Sequence, residues 1–265
     1  MSHIKALAQD IGPRKSGTKA EAEALSYATK YLKKLGYKVQ TTPVTIPGGK
    51  TTHDVEVIKQ GRSESVVVIG AHIDSKAVAP GANDNASGVA VVLELARDFH
   101  NVDTAATLEF VVFAAEEMTD SNPDHHHYGS RQFVQSLTSE QRSALVGMVS
   151  ADMVGYGTRF LVRTMNRGPQ LLRDMVKTYS TGHGLPAHYA KDTGSHGMSD
   201  HEAFELAGYP AVWLEWREDP FYHTAKDTYS HCNATVLGHT GRMLLGFLTQ
   251  LSSSDLAALA AARTR

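Results

Sequence analysis

Histidine and carboxylate side chains recur in this chain where a buried strand gives way to a loop. His72 and Asp74 follow the apolar, β-branched run Ser65–Ile69. Asp84 stands in Asn83-Asp84-Asn85, just ahead of the apolar run Val89–Phe99. Glu116 and Glu117 close the run Thr107–Ala114, Asp152 lies in Val146–Val154, and His223 sits in Tyr222-His223-Thr224. A bare carboxylate in an apolar strand is costly. Two adjacent carboxylates repel in a dry site unless a cation or proton intervenes. One member of Glu116-Glu117 can then hold a metal while its neighbour stays free to act as a base. Carboxylate and imidazole donors without thiolates suit hydrolytic zinc, with manganese or cobalt as substitutes. Five ligands are too many for one tetrahedral zinc that keeps a position open. They match two metals sharing one carboxylate.

The flanking segments must place these residues on one edge. Thr18 followed by Glu21 reads as a capping box, opening a helix to about Leu35 with Ala24, Ala28, Tyr31, Leu32 and Leu35 on one face and Gly36 as its stop. Tyr37–Ile46 reads as a strand that Pro43 assigns to a sheet edge, and His53–Lys59 as the next strand. Ser65–Ile69 and Thr107–Ala114 read as buried strands, and Val89–Phe99 as a helix. Gly129–Leu137 and a segment from Ser139 read as short helices. Val146–Val154 and Phe160–Arg163 read as strands. Pro169 is placed at the first position of a helix to about Ser180. Gly182–Met198 reads as a long loop, Asp200–Leu206 as a helix, Tyr209–Leu214 as a strand and Glu215–Ser230 as a loop. Ala234–Leu251 is the closing helix, with a helical or frayed tail after it. Strands alternate with helices throughout. The expected fold is therefore α/β: a three-layer α/β/α sandwich around one mixed, mostly parallel sheet, in a single domain over residues 1–265.

Composition narrows the function classes. The chain has 265 residues, 42% of them hydrophobic, enough for one large core. A formal net charge of −2 gives no bias toward nucleic acid or an anionic membrane. The single cysteine, Cys232, excludes an intramolecular disulfide and a thiolate-rich zinc cluster. No run approaches transmembrane length, and Met1–Gly12 carries no apolar signal-peptide segment. A cytoplasmic monomer is the expectation, with a secreted chain stripped of its signal peptide as the alternative.

Taken in order, these motifs resemble the M28 family of zinc aminopeptidases. The resemblance rests on Ile11-Gly12-Pro13-Arg14 through Gly17, Ala71-His72-Ile73-Asp74-Ser75, Asn83-Asp84-Asn85, Glu116-Glu117, Gly129-Ser130-Arg131, Asp152, Ser199-Asp200-His201 and Tyr222-His223-Thr224. It implies an α/β/α fold, a dizinc site and a peptide substrate with a free N-terminus. By that resemblance His72 and Asp152 bind one zinc, Glu117 and His223 the other, and Asp84 bridges them. Glu116 is the general base toward a water between the metals, Tyr222 donates to the developing oxyanion, and Asp74 accepts a hydrogen bond from His72 to fix its tautomer. Asp200 supports the site from behind. The resemblance also implies a cis peptide at Asp84–Asn85. The chain departs from the family pattern by inserting Thr119–Tyr128, with three consecutive histidines.

Rival readings share some of these residues. His72-Ile73-Asp74-Ser75-Lys76 is also similar to glutaminyl cyclases, single-zinc acyltransferases of the same fold. A carboxypeptidase of the wider family would need cationic side chains to grip a C-terminal carboxylate. A non-catalytic binding domain would have lost ligands, and this chain has lost none. Elsewhere plain readings prevail. His125–His127 reads as a solvated loop, Trp213 and Trp216 as core and pocket wall, and Glu215 and Arg217–Asp219 as rim charges.

Overall fold

A computed structural model describes residues 1–264. A short helix α1 (Ser2–Ile4) widens into a π-helical stretch, Lys5–Ile11, that buries Ile4, Leu7 and Ala8. Then come α2 (Lys19–Lys34), β1 (Gln40–Ile46), β2 (Lys50–Lys59), β3 (Val66–His72), α3 (Ser87–Phe99) and β4 (Thr107–Phe113). They are followed by α4 (Tyr128–Ser136), α5 (Ser139–Ala144), β5 (Leu145–Ala151), β6 (Arg159–Thr164), α6 (Leu171–Gly182), β7 (Ala187–Lys191) and α7 (His201–Leu206). The chain closes with β8 (Ala211–Arg217), α8 (Ala234–Gln250) and α9 (Ser253–Ala262). Among the described residues no single helix is long and apolar enough to cross a membrane.

The strands form one sheet in the order β1-β2-β4-β3-β5-β8-β6-β7. Its centre, β4-β3-β5-β8, is parallel throughout. The flanks bring antiparallel ladders at β1/β2, β2/β4 and β6/β8. The sheet is therefore mixed, with a parallel core. Alternate residues of each strand face opposite layers. Val67 and Ile69 pack into the larger apolar cluster with α2, α3 and α8, while Val68, Val111 and Phe113 meet Phe133 and Phe204 of α4 and α7. Burial on both faces is what continuous β-branched runs require.

Several local expectations shift. Pro169 stands one residue ahead of the N-cap Gln170 rather than at the first helical position. Thr18 does cap α2, but Glu21 reaches back to the Gly17 N–H rather than to that of Thr18. Gly182–Met198 is not all loop, because Ala187–Lys191 pairs in parallel with β6 as the outermost strand. An edge strand with mostly solvated side chains carries little apolar signal. Asp152 falls just past the end of β5 instead of within it. Glu215 is not a rim charge: it lies inside β8, fully buried, and accepts from Arg163 Nη1 at 2.8 Å. A buried partner two strand positions from its own neighbour makes an internal charge tolerable, and no local pattern reveals such a partner. Asp219 is also drawn inward, accepting from Asn83 Nδ2 at 2.7 Å.

Candidate metal centre

All five expected ligands, and both carboxylates beside them, gather beyond the C-terminal ends of the four parallel central strands. His72 ends β3, Glu116 and Glu117 follow β4, Asp152 follows β5, and His223 lies in the loop after β8. This edge of an open α/β sheet is where ligands collect. Asp84 arrives on the turn between β3 and α3, and the Asp84–Asn85 peptide is cis. Gly88 at the start of α3 lies so close to β5 that an added Cβ would stand 1.9 Å from the Ala151 carbonyl oxygen. Only glycine lets the turn approach Asp152 this far. Backbone at Ala115, Met153 and His223 adopts positive φ of 53°, 57° and 58°, an uncommon conformation for residues with side chains that clusters at functional sites.

The turn is held by polar side chains, which explains its composition. Asn85 Nδ2 donates to the Ala151 carbonyl at 3.0 Å while its Oδ1 accepts from Gly88 N at 2.9 Å. Asn83 Oδ1 accepts from Gly155 N at 2.8 Å. Asp227 accepts from the N–H groups of both Asn83 and Asp84. Arg14, fully buried, donates to the carbonyls of Ile73, Pro80 and Gly81 and so ties the end of β3 to the same turn. Asp227 and the clamp made by Arg14 were not among the expected functional residues. Their signal in the sequence, polar side chains beside the motifs, does not say which backbone they hold.

Two ligand clusters meet on Asp84. Its Oδ1 lies 3.3 Å from His72 Nε2, and its Oδ2 lies 3.0 Å from His223 Nε2. On one side His72 Nε2 is 3.5 Å from Asp152 Oδ1 and 3.8 Å from Glu116 Oε2. On the other, Glu117 Oε1 is 3.2 Å from His223 Nε2. Glu117 Oε1 and Asp152 Oδ1 are buried without a hydrogen-bond partner. Buried carboxylate oxygens with nothing to accept from are costly, and a divalent cation would satisfy them. The donor set therefore fits the expected ions. Lys76 Nζ occupies the other Glu117 oxygen at 2.7 Å, leaving Oε1 directed to the cluster.

Asp74 does more than face His72. His72 Nδ1 is 3.2 Å from the Asp74 carbonyl oxygen and 3.5 Å from its Oδ1. The carboxylate accepts from the backbone N–H groups of Glu116 and Glu117 at 3.0 and 3.1 Å and from Ser16 Oγ at 2.7 Å. It sets the backbone of the Glu pair as well as the histidine. Burial pushes the Glu116 carboxyl up to about 7, against the pull of His72 and His127. Burial also works against a charged His223, but the carboxylates of Asp84 and Glu117 beside it prevail and hold it at about 10. Asp84 is fully buried, yet its bonds to His223 and His72 hold it well below the usual carboxylate range.

The centre opens into a cavity of about 340 Å³, within the usual size range of small-molecule sites. Met118, Met153, Met198 and Trp213 line its apolar wall. Tyr222, 44% exposed, stacks on His223 with ring centroids 3.7 Å apart at the cavity edge. Trp213 thus forms pocket wall, and Trp216 packs into the core. The expected solvated His125–His127 loop is corrected: His126 and His127 are buried, and only His125 faces outward to pair with Asp120. Hydrogen bonds to Glu116 and Glu202 on one side, and to Arg131 on the other, replace the water these rings leave.

Comparison with known proteins shows the family and the fold. A family model described as peptidase family M28 matches residues 54–248. A probable leucine aminopeptidase of Arthroderma benhamiae is 29% identical over 221 residues, covering 76% of this chain. The chain spans 58% of that relative's length. Among solved structures, a zinc aminopeptidase from Bacillus subtilis superposes with a TM-score of 0.84 over 96% of each chain at 18% identity. A glutaminyl cyclase of Tannerella forsythia gives 0.80 over 95% of this chain and 97% of its own, at 21% identity. Likeness at these identities shows a shared fold.

Proposed function

The chain belongs to peptidase family M28, and on that premise we propose that it is a metal-dependent aminopeptidase, cleaving N-terminal residues from peptides at a two-zinc centre. His72 and Asp152 would hold one ion, Glu117 and His223 the other, and Asp84 both. Manganese or cobalt would suit the same oxygen and nitrogen donors. Such ions, when bound, polarise a scissile carbonyl and make water a stronger acid.

The remaining steps belong to side chains. Glu116 takes a proton from the attacking water and delivers it to the leaving amine, a transfer commonly worth ~10²–10⁴-fold. Its position beside the ligand cluster, with Oε2 3.8 Å from His72 Nε2, puts the carboxylate beside where the attacking water would stand. Tyr222 donates its phenolic hydrogen to the developing oxyanion. Asp74 holds His72 and the backbone of the Glu pair in register. The substrate's α-amine, cationic near neutral pH, meets the anionic wall of Glu116 and Asp152.

The observation that carries this reading is the division of Asp84 between His72 and His223, which supports two ions rather than one. It favours the peptidase over the single-zinc cyclase. The carboxypeptidase alternative is weakened by charge pairing. The lysine and arginine lining the cavity, Lys76 and Arg217, are already paired with Glu117 and Glu215.

The test is an aminoacyl anilide and its N-acetyl derivative, assayed side by side with zinc, manganese and cobalt. A blocked amine leaves a buried carboxylate unpaired at about 1–3 kcal/mol, so blocking should cost roughly 5–150-fold in kcat/KM. Comparable rates would overturn the exopeptidase reading. Pyroglutamyl product from an N-terminal glutamine peptide, without cleavage, would assign the cyclase. Shortening from the C-terminus would assign the carboxypeptidase.

A further inference from the structure

The inserted segment Thr119–Tyr128 brings two buried histidines to the wall of the centre, and each has a different neighbour. His126, His196 and Glu202 lie close enough together to suggest a further cation site. That position is already filled by a cation of the chain itself. Arg131 Nη2 donates to His126 Nε2 at 2.9 Å and to Glu202 Oε2 at 3.1 Å.

His127 faces the other way. Its side chain is 3% exposed, its Nε2 lies 2.9 Å from Glu116 Oε1, and its Nδ1 lies 2.5 Å from Glu202 Oε2. Its backbone N–H also donates to the Glu116 carbonyl at 2.8 Å, so main chain and side chain both address the same residue. Glu202 stands in the first turn of α7 and is itself held by Arg131. The far oxygen of Glu116, Oε2, is left directed toward His72 at 3.8 Å.

We propose that His127, aligned by Glu202, is a positioning residue for Glu116: it anchors Oε1 so that Oε2 alone faces the ligand cluster. This rests on the reading of Glu116 as general base. A glutamate side chain has three torsions to order, and long flexible side chains lose substantial freedom when fixed. An imidazole N–H on one oxygen supplies that order before substrate arrives. A misplacement of about 1 Å at a reacting group can cost ~10²-fold.

The test compares wild type with His127→Phe, which keeps a ring and removes the donor, and His127→Gln, which returns an N–H near the place of Nε2. Glu202→Gln is the third variant. Turnover of an aminoacyl anilide should show kcat lowered by about 10–100-fold in His127→Phe with KM changed less than about twofold. His127→Gln should recover much of that loss, and Glu202→Gln should fall between. Metal content and thermal midpoint should stay near wild type in His127→Gln. A purely structural role would instead lower stability in both His127 variants and leave no rescue of kcat.

NMR of protein labelled with ¹⁵N-histidine reads the contact without turnover. An exchange-protected ring N–H of His127 should be present in wild type and lose its protection in Glu116→Ala. Its absence, or unchanged kcat in His127→Phe, overturns the proposal. A wild type that shows the protected N–H but cleaves no anilide overturns the aminopeptidase reading while the anchoring of Glu116 stands.

Discussion

Asp227 holds the backbone of Asp84. Its Oδ2 accepts from the Asp84 N–H at 3.0 Å, and its Oδ1 accepts from the neighbouring Asn83 N–H at 2.7 Å. The residue proposed to join two metal sites is thus held from a loop 143 positions away in sequence. Asp227→Asn would turn one acceptor into a donor facing an N–H. Supporting hydrogen bonds of this kind commonly carry about 10–100-fold in metal affinity. The expected result is weaker zinc binding by that factor in calorimetric titration, with the circular dichroism spectrum unchanged. Wild-type affinity would show that Asn83 and Asn85 suffice to hold the turn.

Adjacent residues of one sequence motif should separate in function. Glu116→Gln is expected to retain its metal and its thermal midpoint while losing ~10²–10⁴-fold in kcat. Glu117→Gln is expected to lose metal first, because Glu117 Oε1 is a buried, partnerless oxygen beside His223. Elemental analysis together with steady-state kinetics distinguishes the two. The reverse pattern would exchange the roles.

Removing the metal should be visible as lost stability. A ligand that binds only the folded state adds about 2.7 kcal/mol at a concentration of 100 Kd. For a chain of this size that corresponds to a shift of roughly 5–10 °C. Chelator-treated protein should therefore melt lower by about that much per site, and zinc should restore it. A midpoint indifferent to chelator and zinc would argue against a metal centre.

The charge inside β8 is a separate liability. Arg163 donates to Glu215 at 2.8 Å and to Asp192 at 3.0 Å, and its guanidinium lies 4.2 Å from the ring centre of Trp213. Removing one partner of a buried ion pair costs about 3–5 kcal/mol, because the other charge is left uncompensated. Arg163→Met should lower the unfolding free energy by that amount in urea titration. Adding Glu215→Leu should recover part of the loss.

Glu109 makes stability depend on pH from a position remote from the centre. Burial raises its carboxyl from 4.5 to about 7, with Glu56 adding to the rise. The folded state therefore binds the proton more tightly than the unfolded state. Its contribution is fully present below about pH 4.5 and is lost as pH rises through about 7. A shift of this size bounds the effect at about 3 kcal/mol. Glu109→Gln should be more stable than wild type at pH 8 and close to it at pH 4.5. Equal differences at both pH values would refute the linkage.

Much of this protein follows from patterns short enough to read along the chain. The runs Ser65–Ile69 and, apart from Glu109, Thr107–Ala114 are apolar on both faces, and only a central strand covered on both sides satisfies that. Val89–Phe99 and Ala234–Leu251 announce helices by length. Polar residues that interrupt such runs at their ends, His72, Glu116, Glu117 and Asp152, are visible because apolar surroundings make them costly. The candidate ligands were therefore legible, and so was the sheet that gathers them.

Relations between distant segments required the tertiary structure. The edge strand Ala187–Lys191 exists because β6 offers it a free edge, and its own side chains are mostly solvated. Glu215 looks like a surface charge until Arg163 is brought across from β6 to meet it. His126 and His127 look like a solvated loop until Arg131, Glu116 and Glu202 replace their water. In each case the deciding energy is a hydrogen bond or ion pair between residues that belong to different elements or loops of the fold. Hydrophobic periodicity is local and shows which face is buried. The partner that satisfies a buried polar group is chosen by the fold.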